Sequence, residues 1–258
     1  ITYNFPVIGH ILTGTGNGLS HSWLREDKLI PNSLLVNQAI DNTLQLVRKK
    51  MDIINVTTEH SRLKSILAIS WGLISQIDIK SERWRCLGNL RYTIQSLIEL
   101  YQLPQYHGTL QYVSTTTKPN TLLEQTNQKS LRTGTLTSNY VKMQEESHWI
   151  RKEGPFTMVW ACNTCQPSKE MWIPNITSDN GLITIVYVKE ITRWNLLKLL
   201  LQMESGNWQD IPGVNIIQTT QFRIDTDTDN YFTVDGEEEP THWIEGKIEP
   251  SCIERFGN

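Results

Sequence analysis

Leu182-Ile183-Thr184-Ile185-Val186-Tyr187-Val188 is an unbroken run of apolar and β-branched side chains, and Phe156-Thr157-Met158-Val159-Trp160-Ala161-Cys162 has the same texture. Such side chains suit a pleated surface, and runs this short read as strands rather than helices. Because apolar residues continue without alternating, both strands are predicted to be covered on both faces. Working outward, 214–224, 231–234 and 243–248 read as further strands. One helix, 192–203, interrupts them; Leu196, Leu197, Leu199, Leu200 and Leu201 lie nearly all round it, which predicts a well-buried helix. Upstream, 51–56 and 64–70 are β-rich. Residues 82–103 return to helical spacing through Leu87, Leu90, Ile94, Leu97, Ile98 and Tyr101, until Pro104 stops them. Many strands with few helices between them predict antiparallel sheets stacked as a sandwich.

The first 50 residues differ. Ile11-Leu12-Thr13-Gly14-Thr15-Gly16-Asn17-Gly18-Leu19-Ser20 reads as a strand end, a glycine loop and a helix start. A second helix is expected over 33–50, capped by Asn32 or Ser33, with Arg48-Lys49-Lys50 closing it where cations meet the helix dipole. The predicted fold class is therefore α+β. Residues 1–50 read as the tail end of an α/β domain. Residues 51–258 form an antiparallel β-sandwich, with a polar, disordered-looking insertion at 114–146.

Bulk properties narrow the function. A formal charge of −3 and a pI near 6.1 argue against a duplex-binding protein, whose affinity rests largely on a cationic surplus. No apolar run approaches the roughly 18 residues of a membrane span. Ile1-Thr2-Tyr3-Asn4 does not read as a signal peptide, so a cytoplasmic setting is expected and the sequons at Asn55 and Asn175 read as chance. Cys162 and Cys165 have CxxC spacing, but no second pair follows to make a zinc ribbon. Asp225, Asp227 and Asp229 alternate as in a calcium loop, but Asn230 and Gly236 stand where glycine and glutamate are needed.

Several residues carry possible chemistry. The loop at Gly14, Thr15, Gly16 and Asn17 brings backbone N–H groups and a helix N-terminus to one place, which suits phosphate; an ordinary strand-to-helix turn has the same pattern. Asp78 stands between Ile77 and Ile79. On a strand its carboxylate would face away from both, either toward solvent or toward a ligand. Arg85 and Arg91 are six apart, about 120° around a single α-helix, so they converge only if Arg85 precedes the helix or reaches around it. Asp235-Gly236-Glu237 is an acidic turn.

Three segments together resemble one family. Thr13-Gly14-Thr15-Gly16-Asn17-Gly18-Leu19 is similar to the second glycine loop of diacylglycerol-kinase-type lipid kinases. The 24-residue stretch Ser70-Trp71-Gly72 through Asp78, Ser81-Glu82, Arg85, Leu87-Gly88 and Arg91 to Thr93 looks like the corresponding stretch of sphingosine kinases. Phe232-Thr233-Val234-Asp235-Gly236-Glu237 resembles their C-terminal VDGE element. The order fits across nearly the whole chain.

The resemblance implies ATP-dependent phosphorylation of sphingosine or a related sphingoid base to its 1-phosphate, with ATP and Mg2+ as cofactors. It implies nucleotide contacts at Gly14, Thr15, Gly16, Asn17, Arg85, Arg91, Asp235, Gly236 and Glu237, and a lipid contact at Asp78. The family's first glycine loop, which supplies the catalytic aspartate, is expected before residue 13. Only 12 residues stand there and none forms it, so no catalytic residue is assigned in this chain. Leu12 also departs from an expected proline. A catalytically incomplete lipid-binding or regulatory remnant, and a diacylglycerol or ceramide kinase, stay open as alternatives. The apolar side of 94–101, with 196–203 and 156–160, would either wall an alkyl pocket or form plain core. Trp149, Trp172 and Trp243 are candidates for a transient membrane contact, giving a cytoplasmic protein peripherally associated with membranes.

Overall fold

The structure, a computed structural model, describes residues 7–8, 18–25, 36–37, 40–41, 44, 48–88, 90–115, 148–168, 171–173, 176–227 and 232–256. The glycine loop at 13–17 lies outside the described residues, as does the polar segment at 114–146 from residue 116 onward.

Two sheets carry the fold. The first contains β1 (Val7–Ile8), β2 (Arg48–Thr58), β3 (Arg62–Ser65), β5 (Gly108–Val113), β6 (Trp149–Glu153), β10 (Gln221–Thr226) and β13 (Trp243–Phe256). Its order is β3-β2-β13-β10-β5-β6, antiparallel throughout, with β1 added parallel to β13. The second contains β4 (Ala68–Gly72), β7 (Met158–Cys162), β8 (Ile183–Val188), β9 (Val214–Thr219), β11 (Phe232–Val234) and β12 (Glu237–Glu239), in the antiparallel order β12-β11-β4-β7-β8-β9. The α+β class with mostly antiparallel sheets is as the sequence predicts.

The two facing surfaces form one core. Ile54, Leu110, Phe222, Ile224 and Ile244 of the first sheet meet Ile69, Trp71, Val159, Ile185 and Phe232 of the second. Trp71 is fully buried at its centre, edge-on to Tyr106 and Phe156 and stacked 6.1 Å from Phe232. The second sheet is also covered behind. Met158, Trp160, Cys162, Val186 and Val188 pack on Leu73, Ile74 and Ile77 of α2 (Leu73–Ser81) and on Leu196 and Leu199 of α4 (Arg193–Gln202). Burial on two faces explains why β7 and β8 are buried at every position and, Thr184 apart, apolar.

Helix α1 (Gly18–Arg25) rests on the sandwich through Leu19 and Trp23, which meet Met51, Ile53, Cys252 and Ile253. Ser22 Oγ donates to Gln166 O at 2.6 Å and accepts from Gln166 N at 3.0 Å. A Cβ on Gly18 would lie 1.9 Å from the Pro167 carbonyl oxygen. Alanine gains about 1 kcal/mol in helix propensity, but the clash is with backbone and outweighs it. Gly18→Ala is therefore expected to lower stability by about 1–3 kcal/mol in urea titration, even though it improves the helix on paper.

Four expectations need correction. Arg48, Lys49 and Lys50 open β2 rather than close a helix; Arg48 pairs with Glu254 at 3.3 Å across the ladder to β13. Residues 36, 37, 40, 41 and 44 are helical, as expected, but exposed. Residues 82–103 are not one helix: Glu82–Leu87 is a 3-10 segment, and α3 (Leu90–Gln102) starts after a break. Asp78 lies in helix α2, not on a strand, because Leu73, Ile74 and Ile77 recur at helical spacing and pack on the sheet. Finally, α4 is buried on one face only; Trp194 and Leu201 are each 74% exposed.

Candidate functional site

Each residue of Ser70-Trp71-Gly72 has a separate task. Ser70 Oγ meets Thr233 Oγ1 across the β4–β11 pair, joining two segments far apart in sequence. Trp71 fills the core. Gly72 ends β4 and starts α2 with φ 84°, a conformation that favours glycine, and a Cβ there would lie 2.8 Å from the Thr157 carbonyl oxygen. Leu73 N then donates to Thr157 O at 3.0 Å, fixing the direction in which α2 leaves the sheet.

Asp78, Glu82, Arg85 and Arg91 gather where α2 gives way to the 3-10 segment and α3. At Gly88 the chain takes φ 57°, a turn costly for other residues, so Arg85 and Arg91 are not on one helix. Both reach the same carboxylate. Arg91 Nη1 pairs with Glu82 Oε1, and Arg85 Nη1 stands 3.6 Å from Glu82 Oε2. Arg91 also donates to Tyr92 OH at 2.5 Å and lies over that ring at 4.5 Å, with only 14% of its side chain exposed. Arg85 is far more open, at 83%. The break thus resolves the 120° problem that a continuous helix would pose.

Asp78 is half-buried. Burial pushes its carboxyl up to about 7, with Arg91 acting to lower it and Glu82 to raise it. It sits near the midpoint between charged and neutral at ordinary pH, poised to become fully charged beside a cation.

The acidic turn sits at the other end of β4. Asp235 adopts φ 52° between β11 and β12. Its Oδ1 accepts from Ser65 Oγ at 2.6 Å and from Leu67 N and Ala68 N at 3.0 Å, while Oδ2 accepts from Ile66 N at 2.9 Å. The carboxylate therefore shapes the loop between β3 and β4. Gly236 and Glu237 are exposed, so Glu237 presents the free acid of the turn. Exposed carboxylates at Glu237 and Glu238 suit a magnesium ion held mainly by nucleotide phosphates. Among the described residues no three His, Cys, Asp or Glu side chains gather to hold a metal ion. Gly14, Thr15, Gly16 and Asn17 lie outside the described residues, so the structure places α1, which follows them, but not the loop.

Helix α3 is inverted relative to an ordinary surface helix. It buries Gln95 and Glu99 and exposes Leu90 (64%), Leu97 (57%) and Tyr101 (83%). Arg193 of the neighbouring α4 donates to Tyr101 O, and α4 adds the shallow groove lined by Trp194, Leu197, Lys198 and Leu201. The apolar side of 94–101 is thus largely outward, and neither an enclosed pocket nor plain core describes it. Of the tryptophans named above, Trp149 is 39% exposed, whereas Trp172 packs on the core behind the second sheet and Trp243 lies under Arg223 at 4.2 Å. Trp194, the most exposed of the group, escaped sequence reading because its leucine-rich context suggested burial.

These features define a two-sheet antiparallel sandwich backed by helices. Residues 68–256 match the YegS C-terminal NAD kinase beta sandwich-like domain, and the chain belongs to that family. It is 28% identical over 259 residues to sphingosine kinase 1 of Mus musculus, covering 93% of this chain and 65% of that protein. It is also 26% identical over 247 residues to sphingosine kinase 1 of Arabidopsis thaliana, covering 89% of this chain and 50% of that protein. The chain thus spans between half and two-thirds of these relatives. A solved structure of a proposed diacylglycerol kinase from Bacillus anthracis str. Sterne superimposes with a TM-score of 0.61 at 16% identity, covering 98% of this chain and 70% of that one; this likeness speaks to fold. The chain is a relative of the lipid kinases.

Proposed function

We propose that this chain carries the lipid-recognising part, and a share of the nucleotide site, of an ATP-dependent kinase that phosphorylates sphingoid bases to their 1-phosphates. The observation that carries the reading is the convergence of Asp78, Glu82, Arg85 and Arg91 at the α2–α3 junction. A half-buried carboxylate poised near neutrality suits an amino-alcohol headgroup, whose ammonium restores the charge that burial disfavours. Arg85 and Arg91 are assigned to nucleotide phosphate, which competes with Glu82 for their guanidinium groups. The loop at Gly14, Thr15, Gly16 and Asn17 is assigned to phosphate through its backbone N–H groups, and Gly236 and Glu237 to the metal–nucleotide complex, with Asp235 holding the turn that carries them. ATP bound with Mg2+ supplies the phosphoryl group. The chain's own residues bind and orient, and none is assigned as the base. Residues 1–50 belong to the nucleotide domain and 51–258 to the sandwich in this reading.

The outward apolar face of α3 and α4 supports a transient contact with a bilayer, where a lipid substrate is found. Leu97, Tyr101, Trp194 and Leu201, with Arg193 and Lys198 beside them, suit an anionic surface. No helix among the described residues is long and apolar enough to cross a membrane.

The test is transfer of labelled phosphate from ATP by the protein that contains this chain, offered sphingosine, diacylglycerol and ceramide in parallel. Sphingosine is expected to be the preferred acceptor. Preference for diacylglycerol or ceramide overturns the substrate assignment. Sphingosine binding without nucleotide affinity or turnover replaces the kinase reading with that of a lipid-binding module.

A further inference from the structure

Behind the junction lies a second polar cluster that the site as described does not use. Glu99 is fully buried, and its Oε1 accepts from Lys80 Nζ at 3.0 Å and from Gln95 Nε2 at 2.7 Å. Gln95, also fully buried, accepts from Arg83 Nη2 at 3.0 Å. Together with Arg91–Glu82, these contacts form a ladder across the hairpin: Lys80 to Glu99, Arg83 to Gln95, and Glu82 to Arg91. Two rungs are on the buried side of α3, and the third is the site itself. Gly88 is the pivot between them.

Rungs with one end buried at Glu99 or Gln95 are a poor device for stability alone. Taking a carboxylate out of water is expensive, and well-packed apolar residues often do as well or better. Glu99 Oε2 has no hydrogen-bond partner, so the desolvation of that atom is uncompensated. What an ion pair across two short elements does well is fix their register. Lys80 is two residues beyond Asp78 on α2, and Glu99 lies eight residues beyond Arg91 on α3, about 12 Å along the helix. A shift of α3 at Glu99 therefore moves Arg91 relative to Asp78.

We infer that Glu99 and Lys80 are positioning residues: their ion pair, buried at the Glu99 end, sets the register of α3 against α2, and so the spacing between Asp78, which receives the lipid headgroup, and Arg91. The substrate named in this inference rests on the function proposed above; the register does not. The groups facing Asp78 are Arg91 and Glu82, and those facing Glu99 are Lys80, Gln95 and Tyr106, whose phenol burial and Glu99 together push up.

The test is a charge reversal in the protein that contains this chain. Glu99→Gln is expected to raise the sphingosine KM by about tenfold while kcat stays within about twofold. It should also raise the pH at which the Asp78-dependent part of thermal stability changes, because Arg91 no longer holds that carboxyl down. Glu99→Lys alone and Lys80→Glu alone should behave like it or worse, and Lys80→Glu/Glu99→Lys should recover KM to within about threefold of the parent. A fall in Tm in Glu99→Gln with unchanged KM and unchanged pH midpoint reduces the pair to a structural tie and overturns the inference. So does a double reversal no better than either single. If the parent protein phosphorylates no sphingoid base, the function reading fails separately. The inference then stands or falls on the pH midpoint, read against Asp78→Asn.

Discussion

Asp78→Asn is expected to stabilise the protein above pH 7 and to abolish capture of an amino-alcohol headgroup. The carboxyl is raised from 3.8 to about 7, chiefly by burial, with Glu82 adding to the rise and Arg91 opposing it. The sign follows from linkage. A carboxyl with a raised folded value binds its proton more tightly in the native state, so its charge opposes folding once pH exceeds that value. Below about pH 4 both states are protonated and the substitution should be nearly silent. Between pH 4 and 7 the gain grows, and above 7 it levels off. Three units correspond to roughly 4 kcal/mol, which partial exposure trims to on the order of 2–3 kcal/mol. Thermal unfolding of both forms at pH 4, 6 and 8 checks it. A stabilisation equal at all three values, or a loss at pH 8, removes the electrostatic account of this site. Stability gained where binding is lost is the pattern expected of a residue retained for its ligand.

Asp235→Asn is expected to do the opposite, lowering stability by about 2–3 kcal/mol whether or not nucleotide is present. Asparagine tolerates the left-handed backbone at this position, so the change tests the carboxylate rather than the turn. If the amide oxygen keeps the three donors on Oδ1, the amide nitrogen must face Ile66 N–H, a donor against a donor. Glu237→Ala, on an exposed strand residue, should leave stability within about 0.5 kcal/mol and weaken nucleotide binding alone. Urea titrations with and without ATP and Mg2+ distinguish the two. An Asp235→Asn protein of parental stability that has lost only nucleotide affinity would make Asp235 a ligand residue rather than an anchor.

The sandwich was legible because β7 and β8 declare two-faced burial without ambiguity. The identities of the junction residues were legible through the 24-residue stretch, but their geometry was not. Ile77-Asp78-Ile79 alternates over only three positions, too short a window to decide between periods of 2 and 3.6. The wider set Leu73, Ile74 and Ile77 carries the helix. Arg48-Lys49-Lys50 can end a helix or begin a strand, and the choice depends on Glu254, more than 200 residues away. The ladder was invisible because Lys80 and Glu99 become neighbours only through the break at Gly88, which no local pattern announces. Helix α3 defeats burial reasoning, since it buries Gln95 and Glu99 and leaves Leu90, Leu97 and Tyr101 outside, with only Leu100 and Tyr92 turned to the core.

β4 has a mechanical meaning beyond its place in the sheet. One end is gripped by Asp235, and the other runs through Gly72 straight into the helix that bears Asp78. Five residues of extended chain span about 17 Å, with Trp71, one residue from the helix end, pinned among three aromatic rings. Such a strand transmits displacement rather than absorbing it. A tug on the acidic turn is therefore delivered to the Asp78 carboxylate as movement of a stiff rod.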